Sequence, residues 1–187
     1  MFYKVTLQDH VRVAPNLFGS DGKLSILKEL KNKYDGFISK DIGIFIDILQ
    51  VSESQDGIII PGDGAAFYHV VFEALVYKID LQEIVLGKIR DITDFGAFVS
   101  IGPIEGMVHV SQTMDDFVSF SKDKVLQGKQ TSRTLKVGDH VRARAIALSF
   151  KDIANPKFGL TMRQIGLGKL DWVEEDYNKG KKKKAEA

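Results

Sequence analysis

Between Glu83 and Gln112 the chain reads EIVLGKIRDITDFGAFVSIGPIEGMVHVSQ, and its aromatic rings and histidine fall on the wrong side of their strands to serve a core. Ala97, Val99 and Ile101 alternate as one buried face, so Phe98 takes the opposite face and Phe95 stands at the edge of the Gly96 kink. In the next strand Val108 and Val110 make the inward pair and His109 points outward between them. In the preceding strand Ile89 is inward, leaving Lys88 and Arg90 outward. Such a face can stack bases and track phosphates. Aromatic stacking contributes ~1–3 kcal/mol per base and tolerates any sequence, while neighbouring cations follow the backbone. The chemistry this half of the chain suggests is therefore single-stranded RNA binding.

From Glu83 onward, short apolar alternations separated by turns predict strands at Ile84 to Asp91, Gly96 to Ile101, Gly106 to Val110, Val141 to Leu148 and Phe158 to Met162. Five strands of this kind predict an all-β five-stranded Greek-key barrel of OB type. The polar segment Thr113 to Gly138 exceeds an ordinary connection and is expected to be functional or mobile. Arg142 and Arg144 alternate with Val141, Ala143 and Ala145, which places them on a solvated strand face within reach of phosphates. A short helix is expected around Leu170 to Tyr177, and the run GKKKKAEA after Asn178 is expected to be disordered.

The first half is organised differently. Tyr3, Val5, Leu7, Val11 and Val13 alternate with polar residues as a half-buried strand that Pro15 to Gly19 ends. Asp21 caps a helix with the stripe Leu24, Leu27, Leu30 and Tyr34, Ile26 beside it, and Gly36 at its end. Strand candidates follow at Ile42 to Val51, Gly57 to Ile60 and Ala66 to Ile79. The expected class is α+β, one helix packed on an antiparallel sheet. The boundary falls in Lys78 to Gln82, giving domains over residues 1–80 and 81–166 and a C-terminal segment over 167–187.

Composition narrows the function. The 187 residues contain no cysteine, which excludes disulfides, thiol nucleophiles and cysteine-ligated zinc. No apolar run is long enough to span a membrane and the start lacks a signal-peptide pattern, so a cytosolic protein without membrane contact is expected. Lys and Arg number 26 against 25 Asp and Glu. Residues 1–80 carry net −3, and residues 81–187 net +4, of which Lys179 and Lys181 to Lys184 supply five positive charges. His10, His69 and His140 lie on different strands without paired spacing, and Asp115-Asp116 sits in a loop where two adjacent carboxylates do not converge. With no GxxxxGK[ST], GxSxG or HExxH, neither a catalytic centre nor a metal or other cofactor is expected.

The motifs FGAFV at Phe95 to Val99, EGMVHVSQ at Glu105 to Gln112 and VGDHVRARA at Val137 to Ala145 resemble the S-one RNA-binding domain. That resemblance implies RNA contact by Phe95, Phe98 and His109, with a basic residue near Lys157; the family's acidic residue has no clean counterpart, since Asp152 lies in a lengthened loop. The first half, through VAPNLFG at Val13 to Gly19 and GIIIPGDGAAFYHVVFEALVYK at Gly57 to Lys78, resembles the N-terminal domain of the archaeal RNA polymerase stalk subunit called E-prime and its eukaryotic counterparts. The resemblance implies a heterodimer with a small helical partner, the second member of the stalk, docked on the polymerase core beside the RNA exit channel, with the barrel meeting nascent single-stranded RNA.

The residues suit a docking tip. Pro15 and Gly19 permit a rigid turn that presents Leu17 and Phe18, and Pro61, Gly62, Asp63 and Gly64 form a second tight turn. Each of these readings has a plainer alternative: Phe95 and Phe98 packed under the Thr113 to Gly138 loop, His109 anchoring that loop, and Leu17 and Phe18 capping their own core. At the level of the molecule, the alternative is a free-standing RNA-binding factor in translation or RNA decay.

Overall fold

The computed structural model describes residues 1–18, 21–121, 123–152 and 156–185, and they divide into two compact units, Met1–Ile79 and Asp80–Ala187. The first unit begins with β1 (Phe2–Val13) and a 3-10 turn (Pro15–Leu17). There follow α1 (Gly22–Tyr34), β2 (Ile38–Ser39), β3 (Gly43–Ser54), β4 (Ile58–Ile59) and β5 (Ala66–Tyr77). The sheet order is β1-β5-β3-β2, with β4 also on β5 and every pairing antiparallel. β1 and β5 pair without a register shift from Phe2↔Tyr77 to Val13↔Ala66, so one face presents Val5, Val11, Val13, Val70, Phe72 and Val76 to α1.

Asp21 caps α1 as its sequence predicts, its carboxylate accepting from the Lys23 N–H at 3.0 Å. The buried stripe is rotated from the expected one. Ile26 and Leu30 are buried, whereas Leu24 is 62% exposed. The helix settles on the Ile26, Leu30, Tyr34 ridge, spaced by four residues, because Tyr34 stacks on Phe45, ring centroids 4.7 Å apart. The Tyr34 hydroxyl donates to Asp9 at 2.8 Å and Lys33 pairs with the same carboxylate. Desolvation pushes Asp9 upward, yet the bonds from Lys33 and Tyr34 prevail and hold its carboxyl below the usual range. Tyr3, expected inward, is 42% exposed.

The second unit contains β6 (Ile84–Ile92), β7 (Gly96–Ile101), β8 (Ile104–His109) and a 3-10 turn (Val110–Gln112). β9 (Val118–Ser121), β10 (Val125–Gly128) and β11 (Thr134–Lys136) follow, then β12 (His140–Ser149), β13 (Lys157–Thr161), β14 (Gly168–Lys169) and α2 (Leu170–Ala185). β6, β7, β8, β13 and β12 close a barrel: β13 runs parallel to β8 and antiparallel to β12, which returns to β6. Ile89, Ala97, Val99, Val108, Val141 and Leu160 fill it. All five predicted barrel strands are present, the third ending at His109 because Val110 turns into the 3-10 segment.

Two expectations are corrected. Residues 113–138 are no irregular loop; they form a three-stranded antiparallel sheet, order β11-β10-β9, with Leu126 and Leu135 fully buried. The Asp116 carboxylate accepts the N–H of Gln130 and Thr131 at 2.9 and 2.8 Å and the Thr131 hydroxyl at 2.8 Å, which locks the connection between β10 and β11. Nor does the chain lose structure after Asn178: α2 continues through the lysine run, since Lys and Ala are good helix formers, and the Lys181 ammonium lies 4.7 Å from the Tyr177 ring centroid. Residues 186–187 lie outside the described residues. Trp172, 6% exposed, anchors α2, and the Arg133 guanidinium lies 5.5 Å from its ring. No helix among the described residues is long and apolar enough to cross a membrane.

Candidate nucleic-acid interface

The β6–β7 hairpin turns at Thr93–Gly96, where the Thr93 N–H and hydroxyl both donate to the Gly96 carbonyl, at 2.8 and 3.1 Å. Gly96 is required there, because a Cβ would lie 2.3 Å from the Val108 carbonyl oxygen on the neighbouring strand. This close approach leaves Phe95 at the hairpin tip, 48% exposed, and Phe98 half-buried on the outer face. Their rings meet edge to face, centroids 6.0 Å apart and planes at 89°. Edge-to-face packing leaves the face of one ring open, which is what a base needs.

His109 pairs with Gly96 across the ladder, and the Val110 N–H donates to the Phe95 carbonyl at 2.9 Å, so the histidine and Phe95 are held as neighbours. The exposed imidazole accepts the Ser111 N–H on Nδ1 at 3.3 Å, with the Ser111 hydroxyl 2.9 Å away. An acceptor Nδ1 assigns the proton of the neutral ring to Nε2, a donor directed away from that turn. Thus Phe95, Phe98 and His109 are brought together as predicted, and His109 also caps the 3-10 turn.

The charges around them are arranged less simply. Phe98 lies between Asp91 on β6 and Met107 on β8. Lys124, from the β9–β10 turn, binds Asp91 at 2.7 Å, and this bond, aided by the Ile92 N–H, holds the Asp91 carboxyl below its usual range. Arg90 is paired with Glu105. Lys88 lies opposite Ser100, and Lys157 immediately precedes Phe158, the partner of Gly106 on β8. Both lysines are exposed and in no ion pair with described residues. Arg142 and Arg144 stand farther from the rings, on β12, which borders β6, β13 and β14 rather than β7 or β8; Arg142 donates to the Gly166 carbonyl at 3.3 Å, and the Nε of Arg144 is buried without a partner.

Sequence reasoning missed Met107 and the Asp91–Lys124 bridge. Met107 could have been found, since it precedes the inward Val108 by one residue. The bridge joins segments whose proximity only the fold creates.

At the other end of the chain, Val13 and Ile59 both pair with Ala66, so the connections after β1 and β4 leave the same end of β5. The Phe18 N–H donates to the Pro15 carbonyl at 3.1 Å, leaving its ring 44% exposed, while Leu17 packs on the core. Gly19 lies outside the described residues. In the second turn Gly62 and Gly64 take φ of +97° and +69°, which favours glycine after Pro61. Asp63 is clamped to β1 by Arg12, Nε to Oδ2 at 3.0 Å, and that hydrogen bond holds its carboxyl below the usual range. Ile58 and Ile59 form β4 within the strand expected over Gly57 to Ile60, and with Ile60 they are exposed beside this turn.

Two family models match: "SHS2 domain found in N terminus of Rpb7p/Rpc25p/MJ0397" over residues 8–64, and "S1 RNA binding domain" over residues 78–149. The chain is 34% identical to the DNA-directed RNA polymerase subunit Rpo7 of Sulfolobus acidocaldarius over 97% of its own length and 100% of that protein. It is 36% identical to Rpo7 of Saccharolobus solfataricus over 94% of its length and 98% of that protein. It is also 34% identical to the DNA-directed RNA polymerase III subunit RPC8 of Saccharomyces cerevisiae, over 61% of this chain and 54% of that one. An N-terminal SHS2 domain joined to an S1 barrel, matched over 97% of the chain, makes this chain a member of the Rpo7 family of RNA polymerase subunits.

Proposed function

We propose that the chain is the non-catalytic stalk subunit of a cytoplasmic DNA-directed RNA polymerase, which holds nascent single-stranded RNA on its S1 barrel. The observation that carries the RNA reading is the outward pair Phe95 and Phe98 beside His109, three groups with no core to fill, held on a rigid hairpin and its neighbour. The tip formed by Phe18, Ile58 to Ile60 and the Pro61 to Gly64 turn docks on the polymerase core beside the RNA exit channel, and a small helical partner completes the stalk as a heterodimer. The exposed apolar side chains of the tip supply an anchor that docking buries, with polar turns around it. Contact with emerging transcript supports elongation, and docking supports initiation.

The test separates the two surfaces. Phe98→Ala weakens binding of a single-stranded oligoribonucleotide by about 5- to 150-fold, as measured by fluorescence anisotropy, and leaves copurification with the large polymerase subunits intact. Phe18→Ala does the reverse, retaining RNA affinity and losing polymerase subunits in an affinity pull-down. Wild-type RNA affinity in the first variant would remove Phe98 from the site; undiminished polymerase recovery in the second would remove Phe18 from the dock.

A further inference from the structure

The outer face that carries Phe98 continues beyond the barrel. Past His109 the chain enters the 3-10 turn and then β9, and between them lies a cleft of about 420 Å³, within the range of small-ligand sites. Its lining includes Val110, Ser111, Asp115, Phe117, Gln130 and Arg163. The cleft adjoins the aromatic platform directly: Ser111 is bonded to His109, and Val110 donates to the Phe95 carbonyl.

Phe117 is 73% exposed, more than any other phenylalanine or tyrosine among the described residues. Its backbone is nevertheless fixed. The Phe117 N–H donates to Asp116 at 2.6 Å, its carbonyl accepts from the Lys129 N–H at 2.9 Å, and Asp116 is itself held by Gln130 and Thr131. A large apolar ring on a rigid backbone, outside any core, is preorganised for a partner with a flat apolar face. The Arg163 guanidinium is fixed by Asp115, with contacts of 2.9 and 2.8 Å, and adds a second planar group to the cleft.

Charge decides which part of a nucleotide enters. Asp115, Asp116 and Arg163 give the cleft a net negative balance, which repels phosphate but suits the amino and imino donors of a base. We propose that this cleft is a second nucleobase subsite, in which a base of the strand lying on Phe95, Phe98 and His109 stacks on Phe117. The proposal rests on the reading of the barrel face as an RNA platform, and it gives the inserted sheet a part in binding.

The experiment uses the full chain with fluorescently labelled oligouridylates, a trinucleotide and a decanucleotide, and the variants Phe117→Ala, Phe117→Trp and Phe98→Ala. Phe117→Ala is expected to weaken decanucleotide binding by about 5- to 150-fold with little change for the trinucleotide, and Phe117→Trp to retain affinity. Phe98→Ala weakens both. If Phe117→Ala matches wild type on the decanucleotide while Phe98→Ala loses affinity, the second subsite is overturned and the platform stands. Equal weakening at both lengths also overturns it, because Phe117 would then act within the platform. If Phe98→Ala and Phe117→Ala both bind like wild type, the RNA reading of this face fails and the subsite with it.

Discussion

His109, Asp91 and Asp116 each show a polar side chain whose role is decided by its hydrogen-bond and ion-pair partners. His109 is committed on Nδ1 by Ser111 and retains Nε2 for a ligand. Asp91 lies beside Phe98, where a bare carboxylate would repel a phosphate, and Lys124 offsets it. Asp116 resembles half of a two-metal nuclease pair in sequence, but its oxygens are consumed by N–H and hydroxyl groups of Gln130 and Thr131, and Asp115 turns to Arg163. The backbone bond from Thr131 is the largest cause of the lowered Asp116 pKa. A folded value below the unfolded one, ~3.9, means that the charge stabilises the insert above about pH 4 and that this contribution disappears as pH falls through the folded value. In a pH titration followed by NMR, the Thr131 amide resonance should move with a midpoint below that of a free aspartate, and Asp116→Asn should abolish the step.

At the scale of elements, period-two alternation identifies every barrel strand within a few residues, because each has one face in the core. Val85, Ile89, Ala97, Val99, Val141 and Ala143 are all buried. The same signal fails for β9 to β11. These strands are short and bear Ser, Lys, Gln and Thr, and their burial is concentrated in Leu126 and Leu135, too few residues to establish a period. The helix stripe is misread through Leu24, whose apolar side chain fits the spacing but not the ridge that Tyr34 and Phe45 select. Two substitutions measure this distinction by urea denaturation. Leu126→Ala empties a fully buried site and should cost about 2–5 kcal/mol. Leu24→Ala, on the exposed side of α1, should stay within about 0.5 kcal/mol.

For the whole molecule, a formal net charge of +1 rules out long-range attraction of nucleic acid as the source of affinity. The predicted cation set also shrinks on folding. Of those cations Arg90 is paired with Glu105, and Arg142 and Arg144 lie on β12, which borders neither β7 nor β8; Lys124, which the sequence did not single out, is paired with Asp91. Lys88 and Lys157 remain, and two phosphate contacts on a single strand give a slope of log affinity against log salt near −1.4, by the rule of about −0.7 per contact. A titration series across salt concentrations that returned twice that slope would show that the paired cations release their carboxylates when RNA binds.

The inserted sheet has one more consequence, and it concerns the order in which the chain is assembled. Barrel closure pairs β8 with β13 and β6 with β12, contacts between residues far apart in sequence, and such pairings are slow to form because the intervening chain must first be confined. Between β8 and β12 that chain is not slack. β9, β10 and β11 pair only with their immediate neighbours in sequence and have Leu126 and Leu135 to bury, so they can fold as a local unit. Once formed, the unit shortens the effective loop that closure must span, and the segment that presents Phe117 also acts as a clasp drawing the two halves of the barrel together.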